Sequence, residues 1–320
     1  MKIGKVEAQT LQETVFPYRG TEDSAVKIGP RIGGDGAVIA ANNEGGYLAV
    51  AADPITGTSA AIGRFAVDIN ANDVACLGAD PRWMTLTLLL PSGTEREKIS
   101  RIMEEASDEA ESLGVAIVSG HTELVQGLER PIVSGTMIGL SRILLDPEKV
   151  QEGDKLVMTG SAGLEGGAIL ADTFEKELRN KGIEDSTLRT ARNFVRRLPI
   201  VEPARRARDK VSLMHDPTEG GLLGGIRELG LLTGKGIKLE EERVKVEPET
   251  KSICAALEVD PLRLIASGSL LLVVRPNRVP QLLEELSEFD PALIGTLSEE
   301  ADLPESGPDE LWRLMDSSGG

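Results

Sequence analysis

Aspartates set among glycines at the ends of apolar segments are the residues of this chain best suited to chemistry. In Gly33-Gly34-Asp35-Gly36 the glycines let backbone N–H groups approach a ligand closely and Asp35 offers a hard oxygen, although an ordinary tight turn accounts for the same residues. Asp53-Pro54-Ile55-Thr56-Gly57 sets an aspartate at a strand end before a Pro/Gly loop, which a turn-forming Asp explains equally well. Asp68-Ile69-Asn70-Ala71-Asn72-Asp73 places two carboxylates and two amides inside a helix otherwise made of small apolar residues. Asp68 and Asn72, four apart, share a face, either as a local hydrogen-bond network or as the edge of a cation and nucleotide site.

Two further polar loops carry both histidines of the chain. Ser119-Gly120-His121-Thr122-Glu123 ends a strand and exposes a His and a Glu together. His215-Asp216-Pro217-Thr218-Glu219-Gly220-Gly221 joins a strand to a glycine-rich helix start. There Asp216 and Thr218 can cap the helix, and the free N–H groups of its first turn can take an anion. Each histidine is read either as a hydrogen-bonded structural residue or as an acid/base group. No serine or cysteine pairs with a base in a nucleophilic set. The loop 160–167 (GSAGLEGG) is strand, glycine turn and helix but lacks GxGxxG spacing, GxxxxGK[ST] is absent, and Gly234-Lys235 only imitates its end.

The elements that must position these loops follow from periodicity. GAVIAA (36–41) and YLAVAAD (47–53) flank NNEGG as a β-hairpin, with Asp53 at its end. Helical spacing runs from Ser59 to Leu77, followed by the strand WMTLTLLLP. Thr94 to Leu113 opens on Thr-x-x-Glu capping chemistry and puts Ile99, Ile102, Met103, Ala106, Ala110 and Leu113 on one face. Strands 115–119 and 131–140 complete a first domain, 1–148, closed by the polar stretch DPEKVQEGDK. A second domain, 149–298, repeats strand, loop and helix: KLVMTG, the helix from Gly166, basic helices to Lys210, VSLMH, the helix after Gly220, the strand GIKLEEERVKV, and the helices and strands to ALIGTL. Residues 299–320 read as a tail with one helical turn around Trp312. Few strict β-α-β crossovers and long antiparallel-capable strands predict an α+β domain pair.

Composition narrows the function classes. The 320 residues, 40% hydrophobic and 27% charged, suffice for two globular cores. The formal charge of −17 repels nucleic-acid backbones and anionic membranes, so neither is an expected partner. Cys76 and Cys254 lie far apart in apolar stretches with no metal-ligand spacing, which fits a reducing compartment. No signal core or membrane-length apolar run occurs, and a cytoplasmic location is expected.

Taken in order, GGDGAVI, AADPITG, VDINANDVACLGADPRW, VSGHTELV, MHDPTEGGLLGG and DPLRLIASGSLLLVV resemble the aminoimidazole ribonucleotide (AIR) synthetase superfamily over roughly 30 to 275, and within it the hydrogenase maturation factors of HypE type. Thiamine-monophosphate kinase and selenophosphate synthetase are more distant matches. The resemblance implies a two-domain α+β fold, a homodimer formed through the N-terminal sheet, and ATP with Mg2+ as cofactors. By motif match Asp35, Asp53 and Asp73 would ligate magnesium or orient phosphates, with Gly33, Gly34, Asn72, Gly120, Thr122 and Glu123 also at the nucleotide and His121 and Asp216 as catalytic groups. His121 stands where many relatives have Asp or Glu, and Glu219 replaces the basic residue of an Asp-Pro-Thr-Arg-Gly-Gly motif. The implied activity is ATP-dependent phosphorylation or dehydration of an amide or acyl oxygen on an unidentified small-molecule or protein-borne substrate. A small-molecule kinase, an ATP-dependent cyclo-ligase and a non-catalytic nucleotide-binding subunit are the alternatives. In HypE itself a C-terminal cysteine carries the carbamoyl group; LWRLMDSSGG has none, so that reaction is not expected here in the same form.

Overall fold

The computed structural model describes residues 6–41, 46–56, 61–300, 303–305 and 307–318. They form two compact units, one of Ser24–Gly29 and Asp35–Leu144, the other of residues up to Asp23, Pro30–Gly34 and those from Leu145 onward. The short helix α1 (Ala8–Thr14) groups with the second unit and buries no residue.

The first unit is one sheet under two layers of helix. Its strands are β1 (Val26–Ile28), β2 (Ala37–Ala40), β3 (Tyr47–Ala51) and β4 (Pro54–Ile55), then, after helix α2 (Ile62–Cys76), β5 (Asp80–Pro91), and, after helix α3 (Arg96–Ser112), β6 (Ala116–Val125) and β7 (Ile132–Ser141). The order is β1-β2-β3-β7-β5-β6, with β4 also on β7. Among the described residues only the β5–β6 pair of this sheet is parallel, and α3 supplies its crossover. Alternation in β5 sends Met84, Leu86, Leu88 and Leu90 into the core and leaves Thr85, Thr87 and Leu89 half-exposed on the other face.

Helix α2 is buried almost all round because α3 lies across it. The crossing is close: a Cβ on Gly63 would stand 2.0 Å from the Ile102 carbonyl oxygen. Asp68 is drawn into this seam. Its Oδ2 is 3.3 Å from Arg64 Nε, and Arg64 Nη2 is 2.7 Å from Glu109 Oε2 on α3. Burial first, and then the charge of Glu109, push the Asp68 carboxyl well above the usual carboxylate range, against the pull of Arg64. Asp68 thus finds its hydrogen-bond partner in Arg64, four residues before it on the same helix.

The second unit is an antiparallel sheet, β10-β12-β8-β11-β9, covered by helix on both faces. In chain order it comprises β8 (Lys155–Thr159), α4 (Leu164–Thr173), α5 (Glu175–Asn180), α6 (Asp185–Arg192), α7 (Val201–Ala207), β9 (Leu213–His215), α8 (Gly221–Thr233), β10 (Gly236–Leu239), α9 (Pro248–Leu257), β11 (Leu270–Val274), α10 (Val279–Glu285), β12 (Ala292–Ser298) and α11 (Glu310–Ser318). Leu222, Ile226 and Leu229 of α8 pack on Leu156, Met158, Leu271 and Val273. Every residue of β11 is buried, which explains its unbroken apolar run.

The two-unit α+β architecture is the one expected, but several local expectations change. Thr94 does not cap α3: its Oγ1 donates to the Pro91 carbonyl at 2.7 Å, closing the turn before the helix, and Glu95 holds the cap position without a side-chain bond. Residues 119–123 do not form a loop; they lie inside β6. The strand from Gly236 stops at Leu239, where Glu241–Arg243 form a 3-10 turn. Around Trp312 stands a nine-residue helix rather than a single turn. The stretch NNEGG (42–46) and Gly57 lie wholly or mainly outside the described residues. Among the described residues, no helix is long and apolar enough to cross a membrane.

The contact at Gly63 gives a direct test of the α2–α3 seam. Gly63→Ala inserts a methyl against backbone that cannot rotate aside and is expected to cost about 1–3 kcal/mol. Urea unfolding should show a lower midpoint at unchanged slope.

Candidate functional site

In the first unit a single face of α2 gathers the acidic loops. Asn70, Asp73 and Cys76 follow one another at intervals of three, a slanting ridge that advances roughly 9 Å along the helix. All three are buried, with exposures of 0%, 6% and 1%.

At one end of the ridge the Asn70 side chain grips Asp53. Its Oδ1 accepts from the Asp53 backbone N–H at 2.9 Å, and its Nδ2 donates to the Asp53 carbonyl at 3.2 Å and to the Ala66 carbonyl at 2.9 Å. Gly135 N–H on β7 donates to the same Asp53 carbonyl at 3.0 Å. Gly135 has to be glycine for this: a Cβ there would lie 2.5 Å from Asn70 Nδ2 and 2.4 Å from Met84 Cε. Asp53 therefore sits in the break between β3 and β4 with both backbone polar groups satisfied. At the other end of the ridge a carboxylate oxygen of half-buried Asp35 lies within 4.8 Å of Cys76 Sγ. Asp73 lies between Asn70 and Cys76 in the sequence of the helix. Asn72, on the same helix, is fully buried.

The strand residues lie elsewhere on the sheet. Register pairs Pro54 with Ser134, Ser134 with Thr87, and Thr87 with His121, a row across four strands. At ordinary strand spacing that puts His121 roughly 14 Å from the β4 end, beyond hydrogen-bond reach of Asp53 within this unit. Gly120, His121, Thr122 and Glu123 are all exposed, and a Cβ on Gly120 would meet the Leu86 carbonyl oxygen of β5 at 2.3 Å. His121 Nε2 and Glu123 Oε2, on the same face of the strand, are 3.3 Å apart.

In the second unit Gly33 has φ +71°, and a Cβ there would meet the Glu228 carbonyl oxygen of α8 at 2.3 Å. Its glycine character is thus used in packing. Gly34 is exposed. The loop 215–221 is buried through Asp216, which is 1% exposed, and His215 Nε2 lies 3.1 Å from Glu228 Oε2. The N-cap position of α8 falls on Gly220, not on Asp216 or Thr218. Gly220, at φ 85°, holds the cap position with no side-chain bond of its own, and its N–H donates to Asp309 Oδ2 at 2.7 Å. The anion at this helix start is the chain's own carboxylate. Composition and periodicity carry no signal for that, because Asp309 lies nearly ninety positions downstream.

Buried acids also meet here. Glu165, in the first turn of α4, is 5% exposed. Burial pushes it up to about 7, with Asp309 adding like charge and Ser267 partly offsetting it. Asp309 is raised to about 6, first by burial and also by Glu219, against the backbone bonds it receives. Both folded values lie above the unfolded ones, so their stabilising contribution is complete below about pH 4 and is lost as pH rises through 6 to 7. For Glu165 the loss is on the order of 3 kcal/mol. Thermal melts between pH 5 and 8 should show this unit falling in stability with pH, and Glu165→Gln should flatten the fall.

Comparison with known proteins identifies the family of the chain. The model of the AIR synthase related protein N-terminal domain matches residues 33–141, and that of the C-terminal domain residues 151–303. A putative hydrogenase expression/formation protein of Methanocaldococcus jannaschii is 30% identical over 231 residues, 71% of this chain and just under two thirds, 66%, of that protein. Carbamoyl dehydratase HypE of Escherichia coli is 27% identical over 272 residues, 82% of this chain and 78% of that one. The solved E. coli HypE superposes with a TM-score of 0.70 at 25% identity, covering 83% of this chain and 88% of HypE. A HypE solved in complex with ATP gives 0.68 at 23% identity, covering 93% and 88%. With both domain models matched in order across most of its length, this chain belongs to the AIR synthase related protein family.

Proposed function

We propose that this chain is an ATP-dependent enzyme of HypE type that phosphorylates or dehydrates an amide or acyl oxygen of a substrate still to be identified. The observation that supports the reading is that α2 meets the Asp53 backbone through Asn70 and an Asp35 carboxylate oxygen at Cys76, with buried Asp73 between those two positions in the helix sequence. The donors proposed are carboxylate oxygens, the hard ligands that magnesium takes, whereas the neighbouring Cys76 sulfur is too soft for it. Asp35, Asp53 and Asp73 would hold the ion, which when bound neutralises charge on phosphate oxygens and aligns them. The protein's own work is positional. Asn70 and Gly135 fix the Asp53 backbone, and burial of α2 holds Asp73 against rotation. Asp216, His121, Thr122 and Glu123 are assigned to substrate and nucleotide on the motif match. Kinship with carbamoyl dehydratases at 27% identity supports oxygen activation by ATP as the class of reaction.

A homodimer completes this reading. β6 is an edge strand of ten residues with Val118 and Leu124 more than half exposed, and Trp83 and Leu140 open on the sheet. Such an edge and face call for cover, which a second copy supplies by placing its own sheet against them. Light scattering should give twice the chain mass, and Leu124→Lys should shift it toward the monomer.

The site itself is tested by calorimetry. Asp53→Asn and Asp73→Asn each remove one charge from the magnesium ligands and should weaken magnesium-dependent ATP binding roughly tenfold, with little change in the absence of the ion. Unchanged affinity in both variants would overturn the assignment. Incubation with ATP, magnesium and a metabolite extract then separates the reactions: ADP with a dehydrated or phosphorylated product supports the proposal, and bound ATP without turnover points to a nucleotide-binding subunit.

A further inference from the structure

The C-terminal segment is a strap across the second unit. Leu303 packs where a Cβ on Gly230 of α8 would stand, 2.2 Å from its Cδ2, and Leu311 is fully buried. Arg313 Nη2 donates to the Glu258 carbonyl at 2.9 Å. Between these anchors lies Asp309, 4% exposed. Its Oδ1 accepts from Leu311 N–H at 2.8 Å, which starts α11, and its Oδ2 accepts from Gly220 N–H at 2.7 Å, which starts α8. The backbone of Ile265 donates to it as well. One carboxylate thus ties the strap to two loops, 217–221 and 262–268. Those loops are also joined directly, because the Thr218 carbonyl accepts from Ala266 N–H at 3.2 Å and from Gly221 N–H at 3.1 Å.

A buried carboxylate is costly unless its bonds repay the loss of water. A core helix needs no such group, since a serine would cap α11 and an apolar residue would fill the space. What Asp309 alone supplies is a charged acceptor for the N–H of Gly220, whose positive φ leaves that turn without a side chain to restrain it.

We propose that Asp309 is a positioning residue, holding the Asp216–Gly221 turn and the 262–268 loop in register for the reaction, so that docking of the C-terminal strap governs turnover. This rests on the reading of the Asp216 loop as part of the working site. The strap acts through the loop and has no contact with substrate assigned to it.

Asp309→Asn tests the hold with little disturbance. Asparagine caps a helix as well as aspartate does, so α11 keeps its start, but its single oxygen cannot also serve Gly220, whose N–H then faces an amide NH2. Amide hydrogen exchange at Gly220 should rise roughly tenfold or more, with exchange in α11 unchanged. In parallel, ADP formation should fall about tenfold while magnesium-ATP affinity, which depends on the first unit's acids, stays the same. Unchanged exchange at Gly220 overturns the proposal, and so does faster exchange with full ADP formation. If Asp309→Asn melts the whole unit, Leu311→Ala replaces it, loosening the strap with the carboxylate intact, and the same local rise is required. If the wild type forms no ADP, the reading of the reaction fails, and Gly220 exchange alone decides whether Asp309 holds the turn.

Discussion

The side-chain amide of Asn70 is the contact on which the Asp53 break, and with it the proposed acidic site, depends. Asp53 occupies a break between two strands, where its C=O accepts from Gly135 N–H of β7 and its N–H is met by the side chain of Asn70. A carboxamide reproduces the pairing edge of a peptide, one acceptor and one donor side by side, and Asn70 offers that edge from the helix. The strand can therefore be interrupted without an orphaned backbone group, and the aspartate at the interruption is aimed by a helix that cannot move independently of the sheet. Aspartate at position 70 would offer no donor, and leucine neither donor nor acceptor. The small residues around Asn70, with Ala66 fully buried one turn before it and Gly135 beneath, make room for the amide.

The second unit solves a different problem with charge. A helix start rich in glycine leaves N–H groups exposed to whatever anion is nearest. Here the chain brings its own, and the cost appears as carboxyls at Glu165 and Asp309 whose proton affinities lie near neutrality. Glu219, the acidic residue where the related motif is basic, adds to that cost at Asp309. The departure from the family pattern and the buried strap carboxylate are thus parts of one electrostatic arrangement.

Much of this architecture is legible in the order of residues alone. Helical spacing locates α2 and α3 within a few residues, alternation and apolar runs locate β5, β7 and β11, and the acids in glycine-rich turns single out the loops of the proposed site. What escapes does so for physical reasons. Asn70 looks like one more amide in a polar helix, because its meaning comes from a backbone group seventeen residues away. Residues 119–123 look like a loop, because an edge strand open on both sides shows none of the burial contrast from which strands are read. Thr94 fits a cap motif and is used one turn earlier, since a hydroxyl takes the nearest carbonyl. Asp309 is silent in sequence because only the folded strap brings it to Gly220.

The topology of the first sheet also sets the order in which its parts can come together. The parallel pair β5 and β6 is linked by α3 alone, a local unit that closes a short loop. The strand β7 must then insert between β3 and β5, pairing Tyr47 with Ser141 across roughly ninety positions, a slow step for a polypeptide. Gly135 travels on that strand, so the last bond to Asp53 forms only when the sheet is closed. On the ribosome, the Asp35 and Asp53 loops emerge early, yet the bond that Gly135 gives Asp53 waits for β7, whose last residue is Ser141.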